Sequence, residues 1–312
     1  MVVVSAPGKV HLMGEHAVVY GKPALLAAID LRLSVSIEPS LQGLDIRSTE
    51  PTDYVRYAVE FLANEYKLAE LPHYRITIQS DIPAGYHLGS SAAVAVAVVG
   101  AVTYAIKKTW NPIVINQLAY EIEKKQHGNP SGGDNTVVTM GGFIWFRKEL
   151  EFLKNIWQLP FKPHPTTNHF FLINTGKPQE STGEMVALVR EKMQENPVHM
   201  QKLLDSNEAQ VKRVTVALKE GNEGELVNAI QTGERTLEGM GVVSSKMRPL
   251  MRQVEKIGGA VKILGGGGKK ESVGFLLCYH QNPDKVAAVA RHYSYSIQHI
   301  RLGEEGVRLE KK

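Results

Sequence analysis

Leu88-Gly89-Ser90-Ser91-Ala92-Ala93 reads as a glycine turn running straight into a helix of small apolar residues, with the two serines as natural N-caps. Such an opening leaves several backbone N–H groups unpaired and adds the positive end of the helix dipole. Glycine lets the backbone come close to an anion held there. A serine hydroxyl at the same turn can also serve Mg²⁺, which prefers hard oxygen ligands. A capped, buried Ala/Val helix without any ligand fits these six residues equally well, so on its own the segment leaves both readings open.

Working outward, Pro7-Gly8-Lys9 runs into Gly14-Glu15-His16 upstream, and Pro130-Ser131-Gly132-Gly133-Asp134 and Gly265-Gly266-Gly267-Gly268 follow downstream. Glycine clusters in this order, each suited to phosphate or a reacting hydroxyl, point to an ATP-dependent kinase of small molecules. The spacing excludes several other nucleotide sites. No Gly-x-x-x-x-Gly-Lys-[Ser/Thr] is present, and Gly268-Lys269-Lys270 has the wrong follower. The His-Arg-Asp and Asp-Phe-Gly signatures of protein kinases are missing, as is a Gly-x-Gly-x-x-Gly after a strand. No Cys/His spacing suggests zinc. Glu123 and His127 lie four apart at the end of an expected helix, hence on one face. Asp134 follows a Pro/Gly-rich turn that is expected not to be helical. A carboxylate fixed on a loop there suits hydroxyl activation, and a second nearby suits Mg²⁺; a helix-terminal charge plus an aspartate in a turn is the competing reading.

The 312 residues fit one large domain or two intermediate ones. A net charge of +4 with scattered basic residues argues against a nucleic-acid face. The single cysteine, Cys278, excludes an internal disulfide and reads as a buried strand residue in a reducing compartment. The N-terminus has no signal-peptide pattern. The most apolar stretch, 92–106, is shorter than the roughly 18 residues a membrane span needs, so a cytoplasmic protein with no membrane partner is expected. Periodicity predicts strands at 2–5, 24–38, 74–79, 170–174, 261–264, 273–278 and 295–301, and helices at 53–66, from 89, at 111–126 and at 283–292. A hairpin is expected through Met140-Gly141, joining 136–139 to 142–147. Three or four helices are expected between about 181 and 257. The prolines of Leu159-Pro160-Phe161-Lys162-Pro163-His164-Pro165 mark the expected domain boundary. The fold class is α+β in two domains.

Pro7-Gly8-Lys9-Val10 followed by Gly14-Glu15-His16-Ala17-Val18-Val19-Tyr20-Gly21-Lys22-Pro23-Ala24 closely resembles the N-terminal motif of mevalonate kinases, members of the GHMP kinase superfamily. His127 to Asn135 resembles that family's catalytic segment, and Asn174-Thr175-Gly176 with Ser181 to Val186 its C-terminal domain. The resemblance implies a two-domain GHMP kinase fold, an N-terminal domain over 1–160 and a C-terminal one over 166–312, with the active site between them. It implies ATP and Mg²⁺ as cofactors, mevalonate as substrate, and a homodimer. Asp134 would take the proton of the substrate hydroxyl, with Lys9 beside it. Glu123 and Ser91 would hold the metal, Ser90 being the alternative serine. Glu15 and His16 would line the mevalonate pocket, although His16 also fits a bond within its own turn. Gly85, Leu88, Gly89, Ser90, Ser91 and Ala92 would cradle the triphosphate, and Gly265, Gly266, Gly267 and Gly268 would close over the site. Two departures stand out. Tyr86-His87 stands where the family usually has a glycine or small residue before the second motif. The third motif, normally Lys-x-Thr-Gly-Ala-Gly-Gly-Gly, has Leu264 and Gly266 in place of the threonine and the alanine, and Lys269-Lys270-Glu271 follows where a small residue or Cys is usual. A sister kinase acting on phosphomevalonate or another alcohol, and a binding protein that has lost catalysis, are the alternatives.

Overall fold

The computed structural model describes residues 1–49, 52–127, 130–150 and 153–310, with backbone only for Gln126 and His127. The expected sharing of one helix face by Glu123 and the His127 side chain therefore lies outside the described residues, as do Gly128 and Asn129 of the catalytic segment. The chain forms two compact units, one of Met1–Lys9, Ala28–Gly142 and Glu304–Lys312, the other of Val10–Ala27 and Phe143–Gly303. This division differs from a single cut at the prolines between 159 and 165. The reason lies in two long strands: β1 (Val2–Met13) runs on through Pro7 and Gly8 rather than ending at residue 5, and β2 (Ala24–Pro39) is continuous. Each carries the chain from one unit into the other.

In the first unit, β2 is followed by β3 (Asp45–Arg47), α1 (Thr52–Glu65) and β4 (Tyr74–Ser80). The sheet runs in the order terminal strand Arg308–Leu309, β1, β2, β4, β3. Its register sets Val35 opposite Ile78 and Ile37 opposite Ile76, all four buried, so one face of the sheet is apolar. Helix α2 (Ser90–Lys107) is buried from Ala92 to Thr103. At 18 residues it is long and apolar enough to cross a membrane, so the length argument from sequence does not exclude a span. Burial of nearly three-quarters of that stretch inside the protein marks it as a core helix. Around it stand α1, α3 (Pro112–His127) and α4 (Gly133–Met140).

Helix α4 replaces the expected hairpin arm. Val137, Val138 and two threonines give the segment a strand-like composition, yet Gly132 at φ 85° turns the chain into a helix. Thr136 and Thr139 then donate their hydroxyls to the carbonyls four residues back, Gly132 and Asn135, at 2.7 Å each. Gly141, at φ 72°, ends the helix before β5 (Phe143–Lys148).

In the second unit, β5 pairs with β6 (Lys154–Leu159), a strand with no counterpart in the sequence reading, and with residues 24–27 of β2. Four further strands, β7 (Phe170–Asn174), β8 (Ala260–Ile263), β9 (Phe275–Tyr279) and β10 (Ser296–Ile300), make an antiparallel sheet ordered β10-β7-β9-β8. Helices α5 (Thr182–Glu195), α6 (Pro197–Glu220), α7 (Glu223–Met240), α8 (Arg248–Lys256) and α9 (Pro283–His292) complete the unit. Its core joins Ala17, Phe171, Ile173, Leu237, Ile263 and Leu276, with Cys278 fully buried among them. Burial pushes the Cys278 thiol up and out of the reactive range.

Candidate active site

In the first unit the backbone of β1 meets the loop before α2. The Lys9 N–H donates to the Leu88 carbonyl at 2.9 Å, and a Cβ on Gly8 would stand 3.0 Å from that same oxygen. The Lys9 stem crosses Gly89, where a Cβ would fall 2.7 Å from Lys9 Cγ. Lys9 is thereby buried, and its ammonium pairs with Asp134 at 2.9 Å. Asp134 keeps 37% of its side chain exposed, so the pair joins a buried cation to a carboxylate open to a ligand. Asp134 stands in the first turn of α4, not on a loop as expected: the glycine turn before it is what starts the helix.

Ser90 and Ser91 are likewise inside the helix they were expected to cap. Gly89 is the N-cap residue, at φ 80°, and no side chain among the described residues caps the start of α2. Both hydroxyls are thereby released from capping. Ser91 donates to Glu123 at 2.6 Å, and Tyr54 donates to the same Oε1 at 2.9 Å. Burial and the Glu123 charge push the Tyr54 hydroxyl well above its ordinary value, so it stays a donor. Ser90 Oγ is buried without a hydrogen-bond partner among the described residues. Gly85, His87 and Gly89 take positive φ at 81°, 62° and 80°, while Tyr86 and Leu88 between them do not. Three left-handed residues within five keep this segment a tight turn rather than extended backbone before α2. His87, the bulky departure noted in the sequence, adopts the left-handed conformation nevertheless.

The second unit holds Glu15, His16 and the third glycine segment. Gly14 sits at φ 107° with room for no Cβ, its ideal position being 2.5 Å from Ala24 Cα. His16 follows at φ 58° and donates through Nε2 to the Gly266 carbonyl at 3.1 Å. Burial lowers the His16 pKa, partly offset by that carbonyl and by Glu15, so the imidazole is a neutral donor. Its bond therefore reaches beyond its own turn to the third glycine segment. Gly267 lies against the Val242 carbonyl and Gly268 against that of Ser272, where Cβ atoms would stand at 2.2 and 2.3 Å. Lys270 is held by its backbone N–H on Glu180 at 3.0 Å, and its carbonyl accepts from Ser244.

Three residues without a role in the sequence reading belong to these clusters. Tyr54 donates to Glu123 alongside Ser91. Lys262 is fully buried and forms an ion pair with Glu15. Glu234, also fully buried, accepts the Ile263 N–H at 3.0 Å. Their signal was the misplaced charge: Lys262 interrupts an apolar strand, and Glu234 falls on the face that Ile230 and Leu237 bury.

Two family models match the chain, one described as the GHMP kinases N terminal domain, over residues 53–142, and one as the galactokinase galactose-binding signature, over residues 1–39. A mevalonate kinase of Archaeoglobus fulgidus is 35% identical over 85% of this chain and 89% of its own length. The chain belongs to the mevalonate kinase family. A relative of the same name from Pyrococcus abyssi is 32% identical across all of this chain and 98% of its own length. Mevalonate kinases share the fold as well. A crystal structure of L. major mevalonate kinase with R-mevalonate superposes with a TM-score of 0.82 at 21% identity, covering 97% of this chain and 96% of that one. The Methanococcus jannaschii enzyme gives the same TM-score at 20% identity, covering 97% and 98%. The two-domain α+β expectation thus holds at the level of the GHMP kinase fold.

Proposed function

We propose that this chain phosphorylates the 5-hydroxyl of mevalonate with ATP. The observation that carries the reading is the Lys9–Asp134 pair, a buried ammonium 2.9 Å from a carboxylate open to a ligand. Phosphoryl transfer asks chiefly for positioning and charge neutralisation, and this pair supplies both. Asp134 accepts the proton of the attacking hydroxyl. Lys9 steadies the oxyanion as it forms and the charge on the transferring group. Backbone N–H groups of the Gly85–Gly89 turn and the start of α2 bind the phosphates.

The donor set at the same turn fits Mg²⁺. Ser91 and Glu123 offer hard oxygens beside the anion turn, Ser90 offers an unpartnered hydroxyl, and no cluster of three or more His, Cys, Asp or Glu stands among the described residues. Mg²⁺ suits so sparse a set because it is held by one or two carboxylates with the remaining positions on phosphate and water. When bound with ATP the ion neutralises phosphate charge. Ser91 and Glu123 would hold it.

An unphosphorylated substrate is favoured by the fate of Lys22, the first cation after Glu15 and His16 in the sequence. Its ammonium is taken by Asp205 at 2.6 Å and Glu208 at 3.1 Å, and so is not offered to a substrate phosphate.

A coupled ATP-consumption assay with mevalonate, phosphomevalonate and galactose in parallel tests the reading. Turnover on mevalonate, reduced roughly 10²–10⁴-fold in kcat by Asp134→Asn with the fold intact, is expected. Turnover on another of the three moves the enzyme to a sister activity, and a variant within about tenfold of wild type removes Asp134 as the base.

A further inference from the structure

A buried ammonium joins the Gly14-Glu15-His16 turn to the third glycine segment. Lys262 is wholly inaccessible, and its three protons have three acceptors: Glu15 Oε1, the His11 carbonyl at 3.2 Å and the Ile263 carbonyl at 2.5 Å. With every donor used, the ammonium cannot turn. Glu234 accepts the Ile263 N–H of the same strand, and His16 adds its bond to Gly266. Stability is a weak reason for this arrangement, because apolar residues of similar volume often serve a core as well as a buried ion pair or better. Val261 and Ile263, the neighbours of Lys262 in β8, are such residues.

What the pair does accomplish is to hold Glu15 by one oxygen only. The other, Oε2, is buried and has no hydrogen-bond partner among the described residues. A buried carboxylate oxygen left without a donor is costly, and the cost is relieved when a ligand supplies one. We infer that Lys262 is a positioning residue for phosphoryl transfer, clamping Glu15 so that its unpartnered oxygen accepts a hydrogen bond from a hydroxyl of the alcohol substrate. The inference rests on the mevalonate kinase reading and assigns within it the residue that orients Glu15.

Steady-state kinetics of Lys262→Met and Glu15→Gln, with each substrate varied in turn and thermal unfolding measured alongside, tests it. Met keeps the length of the lysine stem without the ammonium. Gln keeps the shape of Glu15 while exchanging one oxygen for an amide donor. Both variants are expected to raise KM for mevalonate about tenfold or more while KM for ATP moves less than about threefold. A purely structural role predicts lower unfolding temperatures without that split. If Lys262→Met fails to fold, Glu15→Gln decides: a folded variant with unchanged KM for mevalonate overturns the inference. A wild-type protein without turnover on mevalonate overturns the substrate reading and the inference with it. That result is distinct from an active wild type whose variants use mevalonate unchanged.

Discussion

Glu234 is a carboxylic acid enclosed by protein, and burial pushes its pKa from 4.5 up to about 8, although Lys262 and the Ile263 N–H both favour the charged form. The folded state therefore keeps a proton that the unfolded chain gives up near pH 4.5. Its contribution to stability is full below that value and is lost as pH rises toward 8. Glu234→Gln removes the ionisation, so the variant's unfolding temperature, compared with wild type across this range, is expected to gain on it as pH rises and to level off above. A parallel pair of curves would mean that Glu234 does not titrate there. Ser91 makes a different residue-scale case. Its hydroxyl both contacts Glu123 and is the oxygen proposed for Mg²⁺. Ser91→Ala is expected to raise the Mg²⁺ concentration for half-maximal velocity by about tenfold or more, read from a Mg²⁺ titration at fixed ATP. An unchanged Mg²⁺ requirement would move the ligand role to Ser90.

At the scale of elements, the turn into α2 depends on Gly89 for two separable reasons, its φ of 80° and the Lys9 stem against it. Gly43 has a similar φ of 76°, and a Cβ there would meet no atom of the described residues within 4 Å, so Gly43→Ala isolates the conformational strain, about 1 kcal/mol. Gly89→Ala adds the displacement of Lys9 and is expected to lower kcat at least tenfold more than Gly43→Ala does; equal activities in the two variants would detach the turn from Lys9. Elements of this kind were legible in the sequence wherever periodicity and composition agreed, as in α1, β4, β7 and α9. The agreement failed at α4, where β-branched residues read as a strand but Gly132 turned the chain into a helix whose carbonyls accept the two threonine hydroxyls. It failed again at β6, whose Trp157 and neighbours are too exposed to alternate cleanly. Of the residues proposed for the site, all but Glu123 were read from glycine-bearing motifs. Tyr54, Lys262 and Glu234 were not legible, because their partners stand 69, 247 and 29 positions away in the chain.

For the molecule as a whole, prolines report where regular backbone stops, whereas compact units are decided by pairings between distant segments. Pro160, Pro163 and Pro165 consequently fall inside the second unit, while residues from Glu304 onward return to the first. There Arg32 gathers the returning chain. Its guanidinium donates to the carbonyls of Glu305 and Gly306, each at 2.8 Å, and to Ser5 through both hydroxyl and carbonyl. Arg308 and Leu309 then pair with Ser5 and Val4 of β1, and Val307 donates to the Thr139 carbonyl at the end of α4. The path is confined, since a Cβ on Gly306 would stand 2.1 Å from that carbonyl. Losing this segment strips a half-buried guanidinium of two carbonyl partners and exposes an edge of β1. Hydrogen bonds to charged groups contribute about 1.5–3 kcal/mol each, and one partner left unsatisfied costs a similar amount. Arg32→Met is expected to destabilise by roughly 2–3 kcal/mol on the same basis, and a chain ending at Gly303 by more. Urea unfolding followed by circular dichroism measures both as a fall in midpoint. If the shortened chain unfolds at the wild-type midpoint, the returning segment is dispensable and the first unit is closed by β1 and β2 alone.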